Sequence, residues 1–133
     1  MNRTFSSIAI VFFLLWIMPL SYAKVDIIDE LTALFKTGNS KELAHHFDSD
    51  VELTVLTEED VYSKTQAEAV LKDFFLKHPP AGVKIIHRLT SNPNYRFVVF
   101  ILTTDKGSFR TSISMKNIAG KFLVTEVRIE ANE

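Results

Sequence analysis

The sequence predicts an α+β fold, with three N-terminal helices packed on a curved antiparallel sheet. Three observations carry that prediction. Apolar residues recur at helical spacing over Asp26–Lys36 and again over Ser63–Phe75. Four strand-like segments then run from Val83 to Glu130 with no further helix. The turns between them, Asn92-Pro93-Asn94, Asp105-Lys106-Gly107 and Asn117-Ile118-Ala119-Gly120, are short and rich in turn residues.

Residues 1–23 read as a cleaved secretory signal peptide ahead of a single domain, residues 24–133. Arg3 supplies the positive start, Ile8–Leu20 is an apolar run of 13 residues, and Ser21-Tyr22-Ala23 has small residues at the cleavage positions. The run is shorter than the about 20 residues that span a bilayer, so no stable membrane anchor is expected after cleavage. The expected location is periplasmic or extracellular. The chain has no cysteine, which excludes disulfides and a lipid-bearing cleavage site.

Without the leader the chain has 110 residues, 14 basic and 16 acidic, and a net charge of −2. That suits one domain with one core. No basic run or stripe is present, so no nucleic-acid partner is expected.

The elements follow in order. Ile27, Ile28, Leu31, Leu34 and Phe35 mark the first helix, which Gly38 ends. Asn39 caps a short second helix, with Glu42 placed for a capping box and Leu43, Ala44 and Phe47 as its buried side. Val51–Leu56 alternates as a strand, Thr57–Asp60 reads as a polar turn, and Val61-Tyr62 as a brief return strand. Ser63 and Gln66 form a second capping box. Ala67, Val70, Leu71, Phe74 and Phe75 make one apolar face of the third helix. His78-Pro79-Pro80 ends it, because a residue before proline leaves the helical region.

The strands are expected at Val83–Ser91, Tyr95–Thr104, Ser108–Lys116 and Lys121–Glu130. Parity assigns their faces. Phe109, Thr111, Ile113 and Met115 share the core face with Leu123, Thr125, Val127 and Ile129. Arg110 and Arg128 then meet Glu126 or Glu130 across strands on the outer face. Phe97–Leu102 does not alternate and reads as covered on both faces. A second copy of the chain is the simplest cover, giving a homodimer through Val98, Phe100 and Leu102.

Two helices, a short hairpin, a third helix and four long antiparallel strands resemble the nuclear transport factor 2-like fold, the cone-shaped fold of ketosteroid isomerase and scytalone dehydratase. More narrowly, the chain resembles an uncharacterised family of small exported bacterial proteins. The residues that carry the likeness are Gly38-Asn39, Leu43-Ala44, Phe47, Val51-Glu52, Tyr62-Ser63-Lys64, Gln66-Ala67-Glu68, Lys72-Asp73-Phe74-Phe75, His87, Leu102-Thr103, Gly107, Arg110 and Arg128-Ile129-Glu130. They span nearly all of residues 24–133. The resemblance implies a pocket at the open end of the cone. It brings no activity with it, since a fold alone does not imply one.

The ligand-binding candidates are Tyr62, Val70, Phe74, His87 and Arg110. His87 alternates with Val83, Ile85 and Leu89, and imidazole works as acid or base near neutral pH. A core-edge histidine bonded to a backbone carbonyl is the simpler account, since the sequence places no second catalytic group beside it. Tyr62 precedes the helix cap at the expected pocket mouth. Val70 and Phe74 line the wall, or are plain core. His45 and His46 are adjacent and do not face one another, so no metal site is expected. No phosphate-cradling glycine loop is present, and no cofactor is expected. Ser63 is accounted for as a cap.

The leading expectation is therefore an exported non-enzymatic binding or interaction module, holding a small apolar ligand or peptide in the cone. One alternative is an isomerase, dehydratase or cyclase with His87 as acid–base and Tyr62 as polariser. Another is a structural dimer working through its outer sheet face.

Overall fold

Helix α1, Ile27–Thr37, begins where the Asp26 side chain accepts from the Ile28 N–H at 2.9 Å. It ends at Gly38, whose left-handed φ of 66° lets the Asn39 N–H donate to the Leu34 carbonyl at 2.9 Å. A Cβ on Gly38 would also meet Phe75 and Pro80 at 3.4 Å. The computed structural model describes residues 25–133, and the expected leader lies outside the described residues.

Helix α2, Ser40–His45, has Asn39 as its cap, accepting from the Glu42 N–H at 3.1 Å. Glu42 turns its carboxylate to His45 at 3.2 Å instead of back to the cap, so only half of the expected capping box forms. Strands β1, Phe47–Val55, and β2, Glu58–Ser63, form a hairpin closed by the Val55–Glu58 pair. The turn is therefore Leu56-Thr57, shorter than the expected Thr57–Asp60. The acids of that stretch lie on an exposed edge strand, where charge costs nothing to solvate.

Helix α3, Lys64–Lys77, starts with both halves of its capping box in place, at 3.3 and 3.2 Å. Ala67, Leu71, Phe74 and Phe75 are buried, and Val70 is half-buried at the edge of the stripe. Strands β3, Pro80–Leu89, β4, Tyr95–Thr104, β5, Gly107–Ile118, and β6, Lys121–Ala131, complete the chain.

The six strands form one open sheet in the order β2-β1-β6-β5-β4-β3. Its pairings are antiparallel except for one parallel seam between β1 and β6. Register shifts interrupt β1–β6, β3–β4 and β5–β6, and such bulges bend a sheet. The helices cover one face. Between the layers lies a single core that includes Ile28, Leu31, Phe35, Phe47, Leu71, Phe100, Met115 and Val127. Phe35 meets Phe75 and Phe100 edge to face, with ring centroids 5.6 and 5.2 Å apart.

Two bulges correct the expected strand faces. On β6, Glu126 pairs with Ser114 but Val124 pairs with Met115, so Thr125 is the extra residue. The core set becomes Val124, Val127 and Ile129, and Leu123 and Thr125 leave it. On β3, Ile85 pairs with Phe100 but His87 pairs with Val99, so Ile86 is extra. Val83 and Ile85 stay on the core face while His87 moves to the other face.

Strand β4 is buried on both faces at its centre, Val98, Val99 and Phe100, and alternates only from Ile101 to Thr104. Val98, Phe100 and Leu102 are fully buried in the core. They are therefore not surface residues and cannot carry the expected contact with a second copy. The outer face of β4 is Phe97, Val99 and Ile101 instead.

Candidate functional site

Tyr62 and His87 are not brought together. Tyr62 pairs with Val51 on edge strand β2 and packs against the core from the helix side. His87 is exposed on β3, the opposite edge strand, on the opposite face. Its nearest aromatic neighbour is Phe97, with centroids 6.3 Å apart. An acid–base pair sharing one substrate would need both within hydrogen-bond reach of it.

Val70 and Phe74 do share a cavity. It lies between the C-terminal half of α3 and the β1–β2 turn, and holds about 220 Å³. Its wall includes Val55, Leu56 and His78, with Lys77 and Asp73 paired at 2.9 Å on its rim. Ligand cavities usually hold about 300–1,000 Å³, so this one is small. Rings close it off from the core. Phe74 stacks on His78 at 4.6 Å and meets Phe109 edge to face at 5.3 Å. The His78 Nδ1 lies 3.2 Å from the Phe74 carbonyl oxygen and donates to it. The sequence marked His78 only as a helix stop, because its role depends on Phe109 far along the chain.

Arg110 lies on the outer face of β5, exposed. The registers lay that face out in three rows. Leu89, Phe97, Ser114, Glu126, Glu52 and Val61 make the first. His87, Val99, Ser112, Arg128, Thr54 and Glu59 make the second. Lys84, Ile101, Arg110 and Glu130 make the third. The face is thus apolar along β4, polar along β5 with Arg110 at one end, and charged along β6, with Glu52 beside it on β1.

Two grooves cross this face. One of about 490 Å³ is lined by Asp48, Asp50, Glu52, Tyr95, Ser114, Lys116 and Glu126. The other, of about 190 Å³, is lined by Phe97, Val99, Arg110, Ser112, Arg128 and Glu130. Arg128 bonds Glu130 along its own strand at 2.9 Å, where a cross-strand pair was expected. The parallel seam places Glu52 beside Glu126. Burial, then the hydrogen bond that the protonated Glu126 donates to Glu52 and the charge of Glu52, push the Glu126 carboxyl above its ordinary value, and Arg128 offsets part of this. His45 and His46 diverge to different carboxylates, Glu42 at 3.2 Å and Glu30 at 3.3 Å.

The carboxyl pair gives a pH prediction. A group whose pKa is raised by folding contributes stability below its unfolded pKa and loses it as pH rises through the folded one. Glu126→Gln should therefore raise stability at pH 7 by up to about 1 kcal/mol, the scale of partly exposed charge pairs. The gain should vanish near pH 4. Urea titrations at the two pH values check this, and an equal effect at both would contradict it.

Solved structures match this fold over most of the chain. A protein from Bacteroides uniformis is 25% identical with a TM-score of 0.78, covering 81% of this chain and 99% of its own. A second, from Bacteroides fragilis, is 25% identical with a TM-score of 0.73, covering 82% and 100%. Both are described as DUF4783 family proteins. A designed nuclear transport factor 2-like protein with a long sheet is 20% identical with a TM-score of 0.63, covering 77% and 94%, which speaks to the fold alone. No curated protein sequence matches the chain. A family model described as a domain of unknown function, DUF4783, matches residues 28–130. That span runs from α1 through β6, and the chain belongs to the DUF4783 family.

Proposed function

We propose that the protein is an exported, non-enzymatic interaction module that works through the outer face of its sheet, not through the interior of its cone. The observation that carries this reading is the filled interior. Phe35, Phe47, Phe100, Leu71, Ile113 and Met115 occupy the space between helices and sheet, each with less than 2% of its surface exposed. The cavity beside Val70 is below the usual ligand size, and a separate groove of about 510 Å³ opens at Gly38, Phe75, Leu76 and Pro80. The outer face, by contrast, carries half-buried Tyr95, Phe97 and Ile101 with no element of the described residues laid over them. The separation of Tyr62 from His87 removes the pair on which an isomerase, dehydratase or cyclase reading rested.

Native mass spectrometry of the protein recovered from its producing cell tests this. The expected masses are those of the chain or its multiples alone. A small molecule that survives purification and is displaced by Val70→Trp would overturn the reading in favour of a ligand carrier.

A further inference from the structure

We infer that the groove of about 510 Å³ beside α3 is a binding site for a small carboxylate that carries an apolar chain. The groove lies where the α1–α2 turn, α3 and the start of β3 meet, on the helix-covered side of the sheet. It is separate from the outer-face surface and does not depend on it.

Shape is the first argument. The volume falls within the range of about 300–1,000 Å³ usual for small-molecule sites. Phe75, Leu76, Pro79 and Pro80 give it an apolar lining. Leu76 is 71% exposed, more than any other large apolar side chain among the described residues. An apolar occupant of the groove would take this side chain out of water.

Charge is the second. Lys72 stands one turn before Leu76 on the same face of α3. Lys41, from α2, lines the same groove. Neither lysine makes an ion pair among the described residues, and no carboxylate lines the groove. The nearest acids in sequence are engaged elsewhere, Glu42 with His45 and Asp73 with Lys77. Two positive charges thus border an apolar floor. That pairing matches an anion with an apolar body, and a cation or a neutral molecule would leave the charges unmatched.

A hydroxyl without a partner is the third. Ser40 is only 8% exposed and lines the groove, and its hydroxyl makes no hydrogen bond among the described residues. The atom is not sealed into the core as the Thr111 hydroxyl is, so the groove is where it can find an acceptor. A carboxylate has two acceptor oxygens, one for this hydroxyl and one for the lysines. Leaving a largely buried donor unmade is costly, so an acceptor there contributes beyond the burial of apolar surface. Lys41, Lys72 and Leu76 are exposed, so the occupant exchanges freely with solvent and is not expected to survive purification.

Amide NMR titration of the purified protein with decanoate tests this site. The expected result is saturable shifts centred on residues 38–41 and 72–76. Decanol keeps the chain and drops the charge, and it should bind about tenfold more weakly or worse. Lys41→Glu combined with Lys72→Glu should cost about tenfold or more, and Leu76→Asp likewise. Circular dichroism should not change, because all three side chains are exposed. Ser40→Ala should cost about fivefold, the loss of one hydrogen bond. Decanol binding as tightly as decanoate would overturn the assignment, and so would shifts centred on Val55 and His78 at the cavity beside Val70. A lack of saturation at about 5 mM decanoate would overturn it as well. Tighter binding of a short peptide ending in leucine would overturn the free acid as the occupant.

Discussion

Phe35→Ala is expected to cost about 3–5 kcal/mol, the usual range for truncating a fully buried phenylalanine. The ring belongs to α1, yet its edge-to-face partners are Phe75 of α3 and Phe100 of β4. One side chain therefore ties two helices to the middle of the sheet. A domain of this size has only about 5–15 kcal/mol in total, so the variant should sit at or near its unfolding limit at 37 °C. Urea denaturation followed by circular dichroism measures the loss. A cost below about 1 kcal/mol would mean that the site collapses around the gap, and that the ring does not act as the joint described.

Phe74→Ala should produce a different pair of effects. Its ring is 2% exposed and packs on Phe75, His78 and Phe109. Removing it should cost about 3 kcal/mol. It should also join the vacated space to the cavity of about 220 Å³ beside Val70. The enlarged space then enters the range of about 300 Å³ and above in which small apolar molecules are held. Thermal shift with a small aromatic probe such as benzene should give stabilisation in the variant and none in the parent. Destabilisation without probe binding would show that α3 closes over the gap, and the wall between cone and solvent would then be set by the helix, not by this ring.

What was legible in the sequence was local. The Ser63–Gln66 capping box, the Asn39 cap and the Gly38 stop each depend on residues within a few positions, and each sits where the pattern puts it. The apolar stripe of α3 and the core face of β5 were readable for the same reason. Strand faces failed where one residue was inserted. Ile86 and Thr125 carry no local sign of being extra, yet each inverts the parity of the residues before or after it. That is why His87 looked like a core-side histidine and Leu123 like a core residue.

The site was harder still, because it is assembled across the sheet. Glu52 and Glu126 lie side by side only because β1 joins β6 in parallel, a pairing that no turn in the sequence announces. Phe97 and Ile101 stay half-buried on the outer face, with Val99 between them only 4% exposed, because Val98, Phe100 and Leu102 take the core. A run that reads as covered on both sides is so at Val98–Phe100, while Phe97 and Ile101 remain half-buried on the face away from the helices.

The extra residue in β3 has a consequence beyond the placing of His87. An open sheet has two rims of unpaired backbone that invite foreign strands, the first step toward aggregation. The β3 rim begins with Pro80, which has no N–H to offer, and is broken at Ile86 between Lys84 and Arg88. The β2 rim carries Glu58, Glu59 and Asp60. Both margins are thus guarded against strand addition. Growth by edge-to-edge stacking into a fibre is disfavoured, and any assembly this molecule builds is steered toward one that closes.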